Sequence, residues 1–134
     1  MDEPRTVTLV ADGTSGDADL EYKLCLVMQE YLAIWKVKQR KYGPANIAEM
    51  GKPGLVIRSN DKQKRLIRFV LEGIQEDTEG DEEDAWFDKA GYALMGVMVS
   101  RGWWPDCPPD RLTQAQVDFI LKRYAEEQND TCKS

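Results

Sequence analysis

The chain contains no histidine. That removes the commonest general base, the commonest zinc ligand and the serine–histidine–aspartate constellation together. Cysteine is scarce: Cys25, Cys107 and Cys132 make an odd number without a CxxC spacing, which argues against a disulfide framework or a zinc site and makes a reducing cytosol the expected setting. Positive charge is in deficit, with 18 Lys and Arg against 24 Asp and Glu and a net charge of −6. A surface able to neutralise duplex phosphates is therefore not expected, and duplex nucleic acid is not an expected partner. No apolar run approaches the roughly 18–20 residues of a membrane span, and the opening "MDEPRTVTLVADG" lacks the basic-then-apolar order of a signal peptide. No membrane association is expected.

What remains is a chain of 134 residues with 42% hydrophobic composition, enough for one globular domain. The expected fold class is mainly α: a four-helix-bundle-like single domain with a short N-terminal extended or β segment. Residues 1–17 read as that segment and a loop, 18–127 as a helical core and 128–134 as a frayed tail. The β-branched "TVTLV", residues 6–10, precedes the turn-rich "ADGTSGDAD". Leu20, Leu24, Val27, Met28, Tyr31, Ile34 and Trp35 then keep helical spacing over 18–42, and Gly43-Pro44 ends the run. Lys38 continues that stripe and Glu30 lies on its edge. At 1.5 Å per residue the stripe is about 37 Å long. That is long for a domain of this size, and it predicts a homo-oligomer, a dimer.

Residues 41–62, "KYGPANIAEMGKPGLVIRSNDK", read as a long connection punctuated by Gly43, Pro44, Gly51, Pro53 and Gly54. A second helix is expected over 60–72, capped by Asn60 or Asp61 and stopped by Gly73. That placement puts Lys62, Lys64, Arg65 and Arg68 in its first turns, against the helix dipole, and a broken local rule points to function. Seven acids crowd residues 75–84. The helix that follows, 84–101, is apolar all round and is expected at the centre of the bundle. At its head Asp84 and Asp88 stand four apart on the stripe of Gly91, Met95 and Val99. Such a pair either complements the helix dipole or holds a cation. "RGWWPDCPPDRL" is a proline-rich turn whose Trp103 and Trp104 close the core or stack on a base. A last helix over 114–127 is signalled by the capping box of Thr113 and Gln116 and by the apolar Val117, Ile120, Leu121 and Tyr124.

Lys41-Tyr42-Gly43, then Gly54-Leu55, Arg58, Asp61, Lys62 and Arg65-Leu66, then Asp84, Asp88 and Tyr92 follow one another in an order that resembles the phage and prophage proteins called nucleotide modification associated domain 1. The resemblance covers roughly residues 20–100. It implies nucleotide metabolism or base modification in the cytoplasm of an infected or lysogenic bacterial host. A weaker resemblance links the late acids to the MazG-like all-α nucleoside triphosphate pyrophosphohydrolases, which hold Mg²⁺ with an ExxE helix and a later acidic helix and assemble in pairs. The ExxE is missing here; only Glu21 and Glu30 are present in the first helix.

Three functions follow. In Mg²⁺-dependent nucleotide hydrolysis, Asp84, Asp88 and Glu30 would hold the metal, and Lys38, Lys62 and Arg65 the phosphates. A non-catalytic nucleotide-sequestering protein would use the same cations, with a base stacked on Tyr42, Trp103 or Trp104. A helical adaptor would leave all these charges solvated.

Overall fold

The computed structural model describes residues 3–75 and 80–106, together with 115, 118 and 122. The protein is mainly α-helical. The chain divides into two compact units, Met1–Lys41 and Tyr42–Ser134.

In the first unit, α1 spans Ala18–Tyr42, the range its periodicity predicts. The Asp17 carboxylate starts it by accepting from the Leu20 N–H at 3.0 Å. Ahead of it, Gly13 and Gly16 have φ of +82° and +97°, and a tight loop folds back on the helix. The Glu21 carboxylate accepts from the Gly13 and Ser15 N–H groups, each at 2.8 Å, and from the Ser15 hydroxyl. These bonds, the Ser15 hydroxyl first, hold the Glu21 carboxyl below its usual value. No residue of α1 is buried. The "TVTLV" segment forms no strand, and no strand occurs among the described residues; it has no neighbouring edge to pair with.

The second unit begins with the main departure from expectation. Residues 45–62 are helical rather than a connection, because α2 spans Ala45–Leu66. The chain breaks within it at Gly51, with φ +59° and ψ −154°, a conformation essentially confined to glycine. Pro53 then falls in the first turn of the new helical run, where its missing N–H costs nothing. Gly54 is needed for packing: a Cβ there would sit 2.2 Å from the Met50 Cβ. Asn60 and Asp61 lie inside the helix and do not cap it. The Lys62–Arg68 cluster is thus at the C-terminal end of α2, where cations complement the dipole. The local rule that appeared broken is obeyed.

A π-helical turn, Ile67–Leu71, continues α2, marked by the Glu72 N–H bonding the Ile67 carbonyl at 3.1 Å. Gly73, with φ +68°, ends it. α3 spans Glu82–Ser100 and closes on Gly102 through the Trp103 N–H to Met98 carbonyl bond (2.9 Å) and the Gly102 N–H to Val99 carbonyl bond (3.0 Å), the paired pattern of a Schellman cap.

α3 runs antiparallel to α2. Ala85, Gly91, Met95 and Val99 are its buried residues, and it packs on α2, whose buried apolar residues include Leu55, Ile57 and Leu66. The expectation of burial all round fails among the described residues: Leu94 is 55% and Val97 48% exposed. Trp104 is buried, and its indole N–H donates to the Pro44 carbonyl at 3.0 Å, tying the end of α3 to the start of α2. The expected 114–127 helix lies outside the described residues except at Ala115, Asp118 and Lys122, which are helical. No described helix is long and apolar enough to cross a membrane.

Candidate functional site

The antiparallel α2–α3 pair carries two groups of polar side chains. At one end, the last turns of α2 meet the first turns of α3. The α3 N-terminus is closed by a reciprocal capping box: Asp81 accepts from the Asp84 N–H at 2.9 Å, and Asp84 accepts from the Asp81 N–H at 3.2 Å. Asp84 is exposed, so it caps the helix and stands outside the buried stripe. Gly80 must be glycine for this arrangement. Its φ is +98°, and a Cβ would lie 2.5 Å from an Asp84 carboxylate oxygen.

One turn on, Asp88 is turned toward α2 and pairs with Lys62, Nζ to Oδ2 3.2 Å, with both side chains about four-fifths buried. Lys89 bonds Gln63 beside it. The Arg65 side chain is buried, 7% exposed, and lies over the Phe69 ring at 5.6 Å. Its Nη2 donates to the Gly80 carbonyl at 3.0 Å. Among the described residues, Arg65 Nε and Nη1 have no hydrogen-bond partner.

The six expected ligands are therefore arranged as follows. Lys62 and Asp88 are brought together, Arg65 sits one turn away, and Asp84 belongs to the cap. Glu30 and Lys38 lie on α1, exposed, in the first unit. No group of three or more Asp, Glu, Cys or His side chains among the described residues could hold a metal ion. Of the carboxylates expected at Mg²⁺, Asp84 serves the cap and Asp88 pairs with Lys62.

Of the three candidate stacking rings, Tyr42 is 60% exposed at the end of α1 and Trp103 63% exposed. The Trp103 ring carries the Arg101 guanidinium at 4.6 Å from its centroid. Trp104, at 4% exposure, is a core residue that presents no ring face to a base.

The second feature was not anticipated. Along the flank of the helix pair runs an open groove of about 550 Å³, lined from α2 by Lys52, Leu55, Val56 and Ser59 and from α3 by Tyr92, Ala93, Gly96, Val97, Ser100 and Arg101. Its floor exists because Ala93 and Gly96 are small; a Cβ at Gly96 would meet nothing within 4 Å. Lys52 and Arg101 stand at one end. The Lys62–Asp88 and Gln63–Lys89 contacts lie one turn beyond Ser59 and Tyr92, at the other. The signal in the sequence was the i, i+3, i+4 recurrence of these positions on two helices. It was legible only once residues 45–59 were known to be helical. Comparison with known protein families, characterised proteins and solved structures finds no match for the chain.

Proposed function

We propose that the chain is a nucleotide-holding protein whose α2–α3 groove takes a small anionic ligand with a flat apolar ring. The observation that carries this is the groove's division of chemistry. Its middle is apolar (Leu55, Val56, Ala93, Val97), Tyr92 offers a ring, and Lys52 and Arg101 gather positive charge at one end of it in a protein of net charge −6. A volume of about 550 Å³ falls in the range of small-molecule sites. Paired Lys and Arg side chains suit a phosphate, the Arg by its fork of donors. The resemblance to nucleotide modification associated domain 1 supports the nucleotide reading, since Leu55 and Tyr92 among its residues line the groove and Lys62 and Asp88 continue its line.

Holding without turnover is favoured over hydrolysis. The acids that hydrolysis would draw on, Asp84 and Asp88, already serve a helix cap and an ion pair. The test is a panel of nucleoside mono-, di- and triphosphates incubated with the protein, with and without Mg²⁺, followed by mass spectrometry of the bound and free fractions. An intact nucleotide retained by the wild type and lost by Lys52→Ala/Arg101→Ala is the expected result. A cleaved product would replace this reading with the hydrolase. Neither retention nor cleavage would leave the helical adaptor.

A further inference from the structure

Acids outnumber Lys and Arg in this chain, 24 to 18, yet the described lining of the α2–α3 groove holds two cations, Lys52 and Arg101, and no carboxylate. Neither cation forms an ion pair among the described residues. The basic side chains beyond the other end are engaged, Lys62 with Asp88 and Lys89 with Gln63. Arg101 is also held in place. Its guanidinium lies over the Trp103 ring, 4.6 Å from the centroid. Stacking occupies the flat face of a guanidinium and leaves its N–H edges, the part that grips phosphate oxygens.

This balance of charge bears on how many phosphates the groove suits. A phosphate monoester carries about −1.5 to −2 at pH 7, which Lys52 and Arg101 offset. A di- or triphosphate brings more negative charge than two cations balance. Such groups are commonly held through Mg²⁺ on one or two carboxylates, and the described lining offers none. Between Lys52 and Ser59 lie about two helical turns, or about 10 Å. Leu55 and Val56 from α2 and the Tyr92 ring from α3 line that interval, so a phosphate at the cationic end leaves the apolar length to a ring.

We propose that the groove selects a nucleoside monophosphate, bound as its dianion by Lys52 and Arg101 without a bridging metal. The inference rests on the nucleotide reading of the groove and adds to it the phosphate number and the ionisation state. It carries a pH dependence that belongs to the ligand. The chain has no histidine, the side chain whose charge ordinarily changes between pH 5 and 8, and no carboxylate is in the described lining. The second ionisation of a phosphate monoester falls near pH 6. Binding is therefore full above that pH and weakens as pH falls through it.

The experiment is equilibrium dialysis of the full chain against nucleoside monophosphates, the matching cyclic monophosphates and the triphosphates. It is run with and without Mg²⁺ at about pH 7.5 and about pH 5.5, with circular dichroism confirming the fold at both. The monophosphate is expected to bind equally with and without Mg²⁺. It should bind about fourfold more weakly at the lower pH, the ratio of dianion fractions for an ionisation near pH 6. A cyclic monophosphate is a diester with a single charge and no such ionisation. It should bind more weakly at the higher pH and show no pH step. Lys52→Ala/Arg101→Ala should lose the monophosphate.

A triphosphate held in preference, or a monophosphate that requires Mg²⁺, would overturn the inference while leaving the groove a nucleotide site, provided the double variant still abolishes retention. Monophosphate binding that is flat with pH, or a pH step shared by the cyclic ester, would overturn the dianion in the same way. Retention of no nucleotide at all, or undiminished retention by the double variant, would overturn both the inference and the reading of the groove on which it rests.

Discussion

Asp88→Asn is the substitution that most directly probes how the α2–α3 pair is held. The Lys62–Asp88 contact is 3.2 Å long, and its side chains are 21% and 18% exposed. Solvent-exposed ion pairs contribute about 0–1 kcal/mol. Removing one partner of a fully buried pair costs about 3–5 kcal/mol, because the remaining charge is stranded. The Lys62–Asp88 pair lies between these limits, so the expected loss is about 2 kcal/mol, or roughly 8 °C in Tm for a chain of this length. Urea unfolding followed by far-ultraviolet circular dichroism, run as a double-mutant cycle with Lys62→Met, isolates the pairwise part. A coupling of about 1 kcal/mol or more is expected, with the double mutant less destabilised than the two single effects added together. Asp84→Asn should cost less than about 1 kcal/mol, since the amide oxygen can still accept from Asp81 and only the charge at the helix N-terminus is lost. A coupling within about 0.3 kcal/mol of zero, or equal losses at positions 84 and 88, would refute the reasoning.

Gly51→Ala places a side chain at φ +59° and ψ −154° and is expected to cost about 1–3 kcal/mol, read as a lower urea midpoint; an unchanged midpoint would mean that α2 is continuous there. Trp104→Phe removes the 3.0 Å bond to Pro44 and should cost about 1 kcal/mol, whereas Trp104→Ala should cost about 3–5 kcal/mol by emptying a core position. The Glu21 carboxyl is held below its ordinary 4.5, first by the Ser15 hydroxyl and then by backbone N–H groups. Its folded value is lower than its unfolded one, so its stabilisation is complete above pH 4.5 and is lost as pH falls through the folded value. Amide exchange at Gly13 and Ser15 should accelerate in that window, and Glu21→Gln should abolish the step.

The site was less legible in the sequence than the helices were. Lys62, Arg65 and Asp88 were readable as a converging set because charged residues at helical spacing near an apolar stripe must face something. What they face was not readable. Lys62 and Asp88 satisfy each other, and Asp84, four residues from Asp88, turns instead to the backbone of Asp81. The groove is hidden in the sequence for a single reason: glycine and proline in "GKPG" read as a loop, whereas Gly51 breaks a helix and Pro53 opens the next run. The same two residue types serve both purposes, and local sequence does not distinguish them.

The sequence by itself determined α1 and α3 nearly to the residue, since apolar spacing, an acidic start and a glycine stop agree there. It determined that no histidine takes part in any site of the chain. Tertiary structure alone decided that residues 45–59 are helical, that Arg65 is buried rather than waiting at the surface, and that Gly96 opens a groove instead of closing one. The physical reason is that a helix signal is local, fixed by neighbours three and four residues away. The partner of a charge or the cover of a small residue is set by another helix, whose register no local pattern records.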